Sequence, residues 1–373
     1  MISVEVPGKL YVAGEYAVLE PGGAAVLVAV DRYLTVEVTP GERGPAARRS
    51  VTTARTGPRP VELGRSGTKS VVVDENLGTA AALRHVLTAI ELVERYAREQ
   101  GHEVLGFHLD IRSALDDAGT GRKFGLGSSG AVTVGVVRAL ARAYGFALPG
   151  DALLRLALLT AFTVDPRCSG GDVAASMIGG WVAYRAPDRD RLAREFALPG
   201  ARISPLVDRP WPGMSARRLP APRDVRLAVG WSGTPAVSSG LVELLRRGVA
   251  GDTTAYARFV AASNSCVATL VSALESGDDA SVVTAVAAAG ALLRAVSALA
   301  GVVVETAELA TLRRSAEALG AVAKSSGAGG GDCGIALVAP AVAGQLRQRW
   351  RDTGIVPLEL QVHQPFSAKG HTR

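Results

Sequence analysis

A glycine-rich loop from Lys123 to Ala131 has the residue types needed to bind a phosphate group. Its glycines at positions 125, 127 and 130 let backbone N–H groups approach an anion closely. The loop leads into a predicted helix, and the N-terminus of a helix carries a partial positive charge that favours anions. Ser128 and Ser129 can cap this helix, contact a phosphate oxygen or help to hold Mg²⁺. Taken alone, the loop also fits a structural turn.

The same three glycines match the dinucleotide-binding pattern G-x-G-x-x-G. That pattern requires a strand immediately before the loop. Residues 116–122 are instead polar and typical of a loop, and the P-loop sequence G-x-x-x-x-G-K-[ST] does not occur in the chain. We therefore expect neither a Rossmann dinucleotide site nor a P-loop nucleotide site.

Two further segments concentrate small and polar residues. Ser325 to Gly334 contains five glycines within eight positions. It runs directly into an apolar predicted strand, which a flexible linker would not do, so it predicts close backbone approach to a ligand. Cys168 to Ala175 places Asp172 in a turn of small residues, where an aspartate is most often a helix N-cap. A capping role and a catalytic role for Asp172 both stay open.

Lysine is rare in this chain, and its positions are informative. Of the 41 Lys and Arg residues, five are Lys, and Lys9, Lys123 and Lys324 lie in or against glycine-rich segments. A lysine is a compact point charge and an arginine is a rigid planar fork, so a phosphate site cannot exchange them freely. The placement favours phosphate chemistry, with Lys69 as a further candidate cation.

Composition narrows the remaining classes of protein. The formal net charge of +6 suits either nucleic acid or a small anionic substrate. The arginines are scattered and aromatic residues make up only 5%, so we expect no nucleic-acid partner. Three cysteines are too few for a disulfide framework and favour a cytoplasmic location. The first residues lack a signal-peptide pattern, and the apolar stretch 281–304 is interrupted by Gly and Arg, so we expect no membrane partner.

Hydrophobic periodicity and turn residues predict an α+β fold. Residues 7–16 are typical of a turn-rich crossing, residues 40–68 of a long hairpin or mobile loop, and residues 26–38 of a strand interrupted at Asp31 and Arg32. The predicted helices are 78–100, one that ends near 144, 151–164, 238–249, 253–275, 278–300 and 305–319. The other predicted strands are 3–6, 107–111, 179–184, 226–231, 335–339 and 358–362. Strict β–α–β alternation is missing, which argues against a doubly wound sheet.

The length of 373 residues suits two domains. Residues 186–223 are rich in proline and arginine, which is typical of a boundary. We therefore predict domains at 1–222 and 223–373.

Together, the glycine-containing segments resemble the three motifs of the GHMP kinases, in the family's order and over nearly the whole chain. The first motif corresponds to residues 7–19, the second to 125–131 and the third to 326–334. Residues 230–236 and Glu305-Thr306 also resemble the branch of the family that acts on phosphomevalonate. Gly14-Glu15-Tyr16 lacks the histidines that surround this glutamate in mevalonate kinases, which points to the same branch.

This resemblance implies a two-domain GHMP kinase fold, with an N-terminal domain like ribosomal protein S5 domain 2 and a ferredoxin-like C-terminal domain. It implies transfer of the γ-phosphoryl group of ATP, with Mg²⁺, to phosphomevalonate in the mevalonate route to isoprenoids. A small-molecule substrate would lie between the domains of a monomer or homodimer. Another GHMP kinase, such as a mevalonate kinase, and a non-catalytic nucleotide-binding protein of the same fold stay open as alternatives.

The resemblance also assigns roles to individual residues. Asp172 would be the acidic residue near the acceptor, as a base, an orienting group or part of the metal shell, and Lys9 would be the cation beside it. The expected nucleotide-binding residues are Lys123, Gly125, Leu126, Gly127, Ser128, Ser129 and Gly130, with Ser129 also at the metal. The expected substrate-binding residues are Glu15, Tyr16, Ala17, Ser326, Gly327, Ala328, Gly329 and Asp332.

Overall fold

The structure, a computed structural model, describes residues 1–364 apart from residues 68, 74–76, 118, 120, 199 and 237. Within that range the chain forms an eight-stranded sheet followed by a four-stranded sheet. Helices cover both sheets, so the mixed α+β class predicted from the sequence is confirmed. Every strand before residue 222 belongs to the first sheet and every strand after 223 to the second. The domain boundary between these two residues stays a prediction.

The first sheet is organised around one long strand. Its strands are β1 (Ile2–Ala13), β2 (Ala24–Arg43), β3 (Arg49–Thr53), β4 (Gly57–Ser66), β5 (Lys69–Val72), β6 (Leu105–Ser113), β7 (Trp181–Arg185) and β8 (Ser215–Leu219). Their order is β5-β4-β3-β6-β2-β7-β8, and β1 pairs with β2 outside that path. β2 pairs with β7 through its first half and with β6 through its second half. All neighbours are antiparallel except β3 and β6.

Six helices belong to the same part of the chain. They are α1 (Leu77–Glu99), α2 (Ser128–Tyr144), α3 (Gly150–Val164), α4 (Gly171–Ile178), α5 (Arg189–Phe196) and α6 (Ser204–Asp208). On α1, Leu83, Leu87, Ile90 and Val93 are buried, as their spacing of three and four residues predicted. They join β1, β2 and β6 in the main hydrophobic core. This packing anchors the helices whose first turns reach the glycine-rich loops.

The second sheet has the strand order of a ferredoxin-like fold. Its strands are β9 (Arg226–Trp231), β10 (Val322–Ser325), β11 (Cys333–Val338) and β12 (Val356–Leu358). The order is β10-β11-β9-β12, and all neighbours are antiparallel. Its helices are α7 (Ser238–Val249), α8 (Thr253–Ser276), α9 (Asp279–Ala300), α10 (Ala307–Glu317) and α11 (Ala343–Asp352). α10 and α11 pack on one face through a core that includes Leu312, Leu346 and Trp350.

Several local predictions from the sequence are wrong. Residues 7–13 form the second half of β1 and not a turn-rich crossing. Pro7 and Gly8 suggested a turn, but this segment is buried and pairs with β2 along its length. β2 continues through residues 31 and 32, where a shift in its register with β1 accommodates them as a bulge. Of the two alternatives predicted for residues 40–68, the hairpin is confirmed and the mobile loop is wrong, because β3 and β4 pair as antiparallel neighbours in sequence.

In the second half of the chain, the predicted closing strand needs correction and the predicted boundary segment contains regular secondary structure. The described part of residues 186–223 contains α5, α6 and β8, and the domain boundary predicted there stays a prediction. The last strand is 356–358 rather than 358–362, and it includes Pro357. A proline is tolerated there because β12 lies at an edge of its sheet, where one backbone N–H needs no partner.

Helices α8 and α9 are long and apolar enough to cross a membrane by length and composition. In the most apolar stretches, 33% and 39% of the residues are buried within the protein. The two helices pack against each other, and they contact β2 and β10. Two helices that pass this test are weak evidence for a membrane span, and the absence of a membrane partner stays a prediction.

A buried ion pair connects the two sheets. Glu15 follows β1, Lys324 lies on β10, and the carboxylate accepts a hydrogen bond from the ammonium group. The side chains are 5% and 1% exposed. Lys324 also donates to the carbonyl of Ser325 at 2.7 Å. Because Lys324 is neutralised and enclosed, its position beside a glycine-rich segment does not make it a cation available to a phosphate group.

We expect Lys324→Met to destabilise the protein by about 3–5 kcal/mol, because the Glu15 carboxylate would stay buried without its cation. Urea unfolding followed by circular dichroism measures the change. The double variant Glu15→Gln/Lys324→Met removes both charges and should recover most of this loss. A double variant no more stable than Lys324→Met would show that the two side chains are not energetically coupled.

Candidate active site

A cleft of about 480 Å³ lies between the two sheets. This volume is in the range of pockets that hold small molecules. Its lining comes mainly from β1, from residues 115–116 and the loop that begins at Lys123, from the turns before α4, and from the loop between β10 and β11. The predicted site residues that line it are Lys9, Glu15, Tyr16, Lys123, Gly125, Leu126, Gly127, Ser128, Ser129, Gly130, Asp172, Ser326, Gly327, Ala328 and Asp332. The structure therefore brings three distant motifs to one place.

The first glycine-rich loop needs its glycines for close packing. Gly125 has φ 82°, and a Cβ atom there would lie 2.5 Å from the side chain of Asp332. Gly127 has φ 80°, and its Cβ would lie 2.7 Å from Cε of Lys9. Gly127 immediately precedes α2, and no side chain of the described structure caps that helix. Its first backbone N–H groups are therefore available to an anion in the cleft.

Lys9 lies against this loop. Its backbone N–H donates to the carbonyl of Leu126 at 2.9 Å, and Nζ donates to the carbonyl of Gly125 at 3.3 Å. The ammonium group also lies 5.4 Å from the centre of the Tyr11 ring. The residue is 8% exposed, so its charge faces the cleft from a largely enclosed position. A cation held in this way can act on a phosphate group with little water to screen it.

Asp172 lies in the first turn of α4, next to the start of α2. The N-cap residue of α4 is Gly170. The prediction that Asp172 caps this helix is therefore wrong. One carboxylate oxygen accepts from the backbone N–H of Val173 at 2.9 Å. A Cβ atom on Gly130 would lie 2.6 Å from the other oxygen. The absence of a side chain at Gly130 is what allows the carboxylate to reach the first turn of α2.

Tyr11 and Ser169 contact this cluster, and the sequence analysis missed both. The Tyr11 hydroxyl and Ser169 Oγ are 2.8 Å apart. Burial and the negative charge of Asp172 raise the pKa of Tyr11, so its phenol stays protonated. A Cβ atom on Gly171 would lie 2.6 Å from that hydroxyl. Ser169 could have been found from the sequence, because it lies in the turn of small residues before Asp172. Tyr11 could not, because it resembles the apolar residues around it in a strand.

The third motif is held to the first by polar side chains. Ser326 Oγ accepts from the backbone N–H of Tyr11 at 2.8 Å and donates to its carbonyl at 3.0 Å. The Tyr16 hydroxyl donates to the carbonyl of Ala328 at 2.5 Å. Tyr16 itself has φ 62°, a strained conformation for a residue with a side chain. These bonds position the loop 326–332 over the cleft.

Asp332 also stabilises the backbone. Its carboxylate accepts from the N–H of Ala236 at 2.9 Å, and its own N–H donates to the carbonyl of Thr234 at 2.8 Å. Burial raises its pKa, while the Ala236 N–H, Lys9 and Lys123 act in the opposite direction. Glu15 is similarly engaged, by Lys324. The substrate-binding roles of Glu15, Ser326 and Asp332 stay predictions.

Two predicted substrate-binding residues lie outside the lining of the cleft. Ala17 is fully buried in a small core beside α7 and α9. A Cβ atom on Gly329 would lie 2.2 Å from the carbonyl oxygen of Val304, so this glycine permits close backbone packing. Both residues support the shape of the loops, and neither faces the cavity.

A hydrogen-bonded chain connects α1 to the start of α2. The Thr133 hydroxyl donates to the carbonyl of Ser129 at 2.9 Å, and Thr133 Oγ1 lies 3.2 Å from Nδ1 of His85. Because the hydroxyl proton is already used, we assign the donor role in the second bond to Nδ1–H. Burial, with Arg84 and Arg55 nearby, lowers the pKa of His85 to about 4. His85 is therefore neutral near pH 7.

The basic residues of the cleft differ in their availability. Lys123 and Arg84 line it and are exposed. Arg167 also lines it and pairs with Asp165 at 3.5 Å and Glu243 at 3.2 Å. Lys69 does not belong to the lining. Arg84 and Arg167 were missed because nothing distinguishes them from the many other arginines of the sequence.

The donor groups of the cleft fit a nucleotide-bound Mg²⁺ ion. The described residues contain no group of three or more His, Cys, Asp or Glu that could hold a metal alone. Mg²⁺ usually binds through one or two carboxylates together with substrate phosphates and water. The hydroxyl of Ser129 and the carboxylate of Asp172 line the same cleft and meet that requirement.

The fold and the cleft define a two-domain enzyme class that binds phosphate groups between an α+β domain and a ferredoxin-like domain. The pattern of the GHMP kinases N terminal domain matches residues 84–180, and that of the GHMP kinases C terminal domain matches residues 270–356. A phosphomevalonate kinase from Streptomyces sp. (strain CL190) is 44% identical over 362 residues, which covers 95% of each chain. The chain belongs to the GHMP kinase family, as its three motifs predicted.

Solved structures agree with this assignment. Phosphomevalonate kinase of Streptococcus pneumoniae, in complex with phosphomevalonate and AMPPNP, has a TM-score of 0.82 and 30% identity. The match covers 97% of this chain and 100% of that one. The Lin0012 protein of Listeria innocua has a TM-score of 0.88 and 31% identity, covering 97% and 98% of the two chains.

We expect Gly130→Ala to reduce kcat at least tenfold without destabilising the protein. The new methyl group would displace the Asp172 carboxylate, while alanine favours a helix by about 1 kcal/mol over glycine. Steady-state kinetics and thermal unfolding measure the two effects. Gly344→Ala on α11 is the matched control, because a Cβ atom there meets nothing within 4 Å. Unchanged kcat in Gly130→Ala would contradict this packing.

His85 should make stability depend on pH. Below pH 6.5 the unfolded chain takes up a proton at this residue and the folded chain does not, so stability falls as pH falls from 6.5 towards about 4. Between pH 7 and pH 5, we expect the wild type to lose about 2 kcal/mol more than His85→Asn. Urea unfolding at both pH values measures this difference, and parallel losses in the two proteins would contradict it.

Proposed function

We propose that this enzyme transfers the γ-phosphoryl group of Mg-ATP to the phosphate of phosphomevalonate, giving diphosphomevalonate in the mevalonate route to isoprenoids. The similarity over 95% of the chain to the Streptomyces phosphomevalonate kinase carries the proposal. The cleft supports it, because Lys9, Asp172 and the start of α2 converge there. Of the three family motifs, residues 7–19 and 125–131 lie in the N-terminal domain. The third, residues 326–334, lies in the C-terminal domain and closes the cleft from that side.

The chemistry of the acceptor explains why the site contains more cations than bases. A phosphate monoester has a second pKa of about 6, so near pH 7 it is mostly a dianion. It needs no base to become a nucleophile, and the main obstacle is its repulsion by the phosphates of ATP. Catalysis then consists mainly of positioning and charge neutralisation.

The residues of this chain have separate tasks in such a reaction. The glycine-rich loop and the N-terminus of α2 hold the nucleotide phosphates through backbone N–H groups. Mg²⁺, when bound, neutralises charge on the phosphate oxygens. Lys9 supplies a partly desolvated positive charge beside the loop, where the transferred group passes. Asp172 lies beside the first turn of α2, where it would help to hold the metal shell, since the acceptor needs no proton removed.

We also propose a cytoplasmic enzyme that acts on a small molecule without nucleic-acid or membrane partners, as a monomer or homodimer. All three cysteines are free thiols, which agrees with a reducing compartment. We place the domain boundary between residues 222 and 223, and the change from the first sheet to the second between β8 and β9 supports it.

Activity is tested by ADP release with Mg-ATP and a panel of acceptors: phosphomevalonate, mevalonate, galactose, homoserine and none. We expect turnover with phosphomevalonate alone. Turnover only with another acceptor would keep the family and overturn the substrate. Tight ATP binding without any turnover would instead favour a non-catalytic protein of this fold.

The roles of Lys9 and Asp172 are tested by substitution. We expect Asp172→Asn to lower kcat less than about 10²-fold, because general-base catalysis, which contributes about 10²–10⁴-fold, is not needed. We expect Lys9→Met to lower kcat by about 10²–10³-fold, through loss of a charged donor to the transferred group. Asp165→Asn, which removes another carboxylate of the cleft, is the control. A loss of several orders of magnitude in Asp172→Asn, with ATP binding intact, would show that Asp172 is a base.

A further inference from the structure

A second cavity, of about 550 Å³, lies near the far ends of two helices that begin at the cleft. It is lined by Arg138 and Arg142 on α2, by the last residues of α4, by the start of β1 and by Arg218 on β8. Arg138 is ten residues beyond Ser128, which is about 15 Å along a helix. The cavity is therefore separate from the catalytic cleft.

The lining of this cavity is strongly positive. Among the twelve described residues that form it, three are arginines, one is His363, and the single acid is Glu5. The Glu5 side chain is exposed, and none of the ion pairs in the described part of the chain joins it to an arginine of the cavity.

Arginine is common in this chain, so three arginines in one cavity are not unusual in themselves. What matters for Arg138, Arg142 and Arg218 is whether a carboxylate neutralises them. Many other arginines bind a carboxylate, as Arg49 binds Glu94 and Arg155 binds Asp151. By contrast, Arg142 donates to the carbonyl of Ser3 at 3.5 Å and Arg218 to the carbonyl of Ile178 at 2.8 Å. Carbonyl groups orient a guanidinium without neutralising its charge. Three positive charges therefore converge on the cavity without a bound carboxylate among the described residues.

Burial and the positive charges of the cavity lower the pKa values of its basic groups. Burial and the charge of Arg142 lower the pKa of Arg138. Burial, Arg218 and Arg138 lower the pKa of His363, while Asp31 acts in the opposite direction. Nδ1 of His363 lies 3.1 Å from the hydroxyl of Tyr33. These groups repel one another's positive charge, so an anion in the cavity would stabilise all of them.

We propose that this second cavity binds the phosphate or diphosphate group of a small molecule, at a site distinct from the catalytic cleft. Planar guanidinium groups bind phosphate oxygens in pairs of parallel hydrogen bonds, which a lysine cannot match. The three arginines come from two elements, α2 and β8, and all of them line the cavity. The volume admits such a group together with part of the molecule that carries it.

The test is isothermal titration calorimetry with inorganic phosphate and with inorganic diphosphate. The wild type, Arg138→Gln/Arg142→Gln, Lys9→Met and a control are compared. We expect the arginine double variant to bind at least tenfold more weakly than the wild type, since each lost charged hydrogen bond contributes about tenfold. Lys9→Met should retain this binding, because Lys9 belongs to the cleft.

The control is Arg258→Gln/Arg349→Gln, which removes two exposed positive charges on α8 and α11, away from both cavities. It should bind both anions as the wild type does. Equal affinity in all four proteins would overturn the proposal, as would loss of all binding in Lys9→Met or no measurable binding to the wild type.

Two further measurements do not depend on the folding of the double variant. Arg218→Gln changes an exposed side chain at the rim and should weaken binding severalfold. Crystals of the wild type soaked in tungstate, a tetrahedral dianion, should show an anomalous peak beside Arg138 and Arg142. A peak in the cleft alone, or unchanged binding in Arg218→Gln, would contradict a second site.

Discussion

The buried ion pair between Glu15 and Lys324 is the interaction on which the rest of this structure depends. It connects the end of β1 to β10, and so connects the two domains whose surfaces form the cleft. An ion pair at this depth contributes little net stability, because desolvation offsets most of the attraction. Breaking it is costly, however, because one charge would remain buried alone. The pair therefore specifies how the two domains meet more than it strengthens the fold.

Close approach of backbones is the second constraint, and it explains the glycines of the motifs. At Gly125, Gly127 and Gly130, the space that a Cβ atom would need is occupied by Asp332, Lys9 and Asp172 respectively. Each glycine of the first loop thus accommodates one polar side chain from a distant segment of the chain. The loop can then keep its backbone N–H groups facing the cleft while charged side chains surround it. A larger residue at any of the three positions would separate groups that have to act together.

The site also uses polar side chains for two different purposes. Ser326, Asp332 and Glu15 bond to backbone groups or to Lys324, and they maintain the positions of loops. The cleft is also lined by Lys9, Asp172 and Lys123, whose side chains together have fewer hydrogen bonds and ion pairs within the protein. Phosphoryl transfer requires this division, because a group that neutralises charge in the transition state has to be preorganised by others. The start of α2 has no charged side chain, but its first backbone N–H groups can also stabilise negative charge on a phosphate group.

The sequence by itself determined the family, the α+β class and most helices, because these depend on local properties. Glycine spacing, helix periodicity and the lysines near Gly8 and Gly125 are visible without coordinates. Only the tertiary structure decided which charges are available. Lys324 and Glu15 are 309 residues apart, and no local pattern indicates that they neutralise each other. Tyr11, His85 and the arginines 138, 142 and 218 likewise gain their significance from neighbours that folding brings together, because electrostatic interactions depend on distance in space and not along the chain.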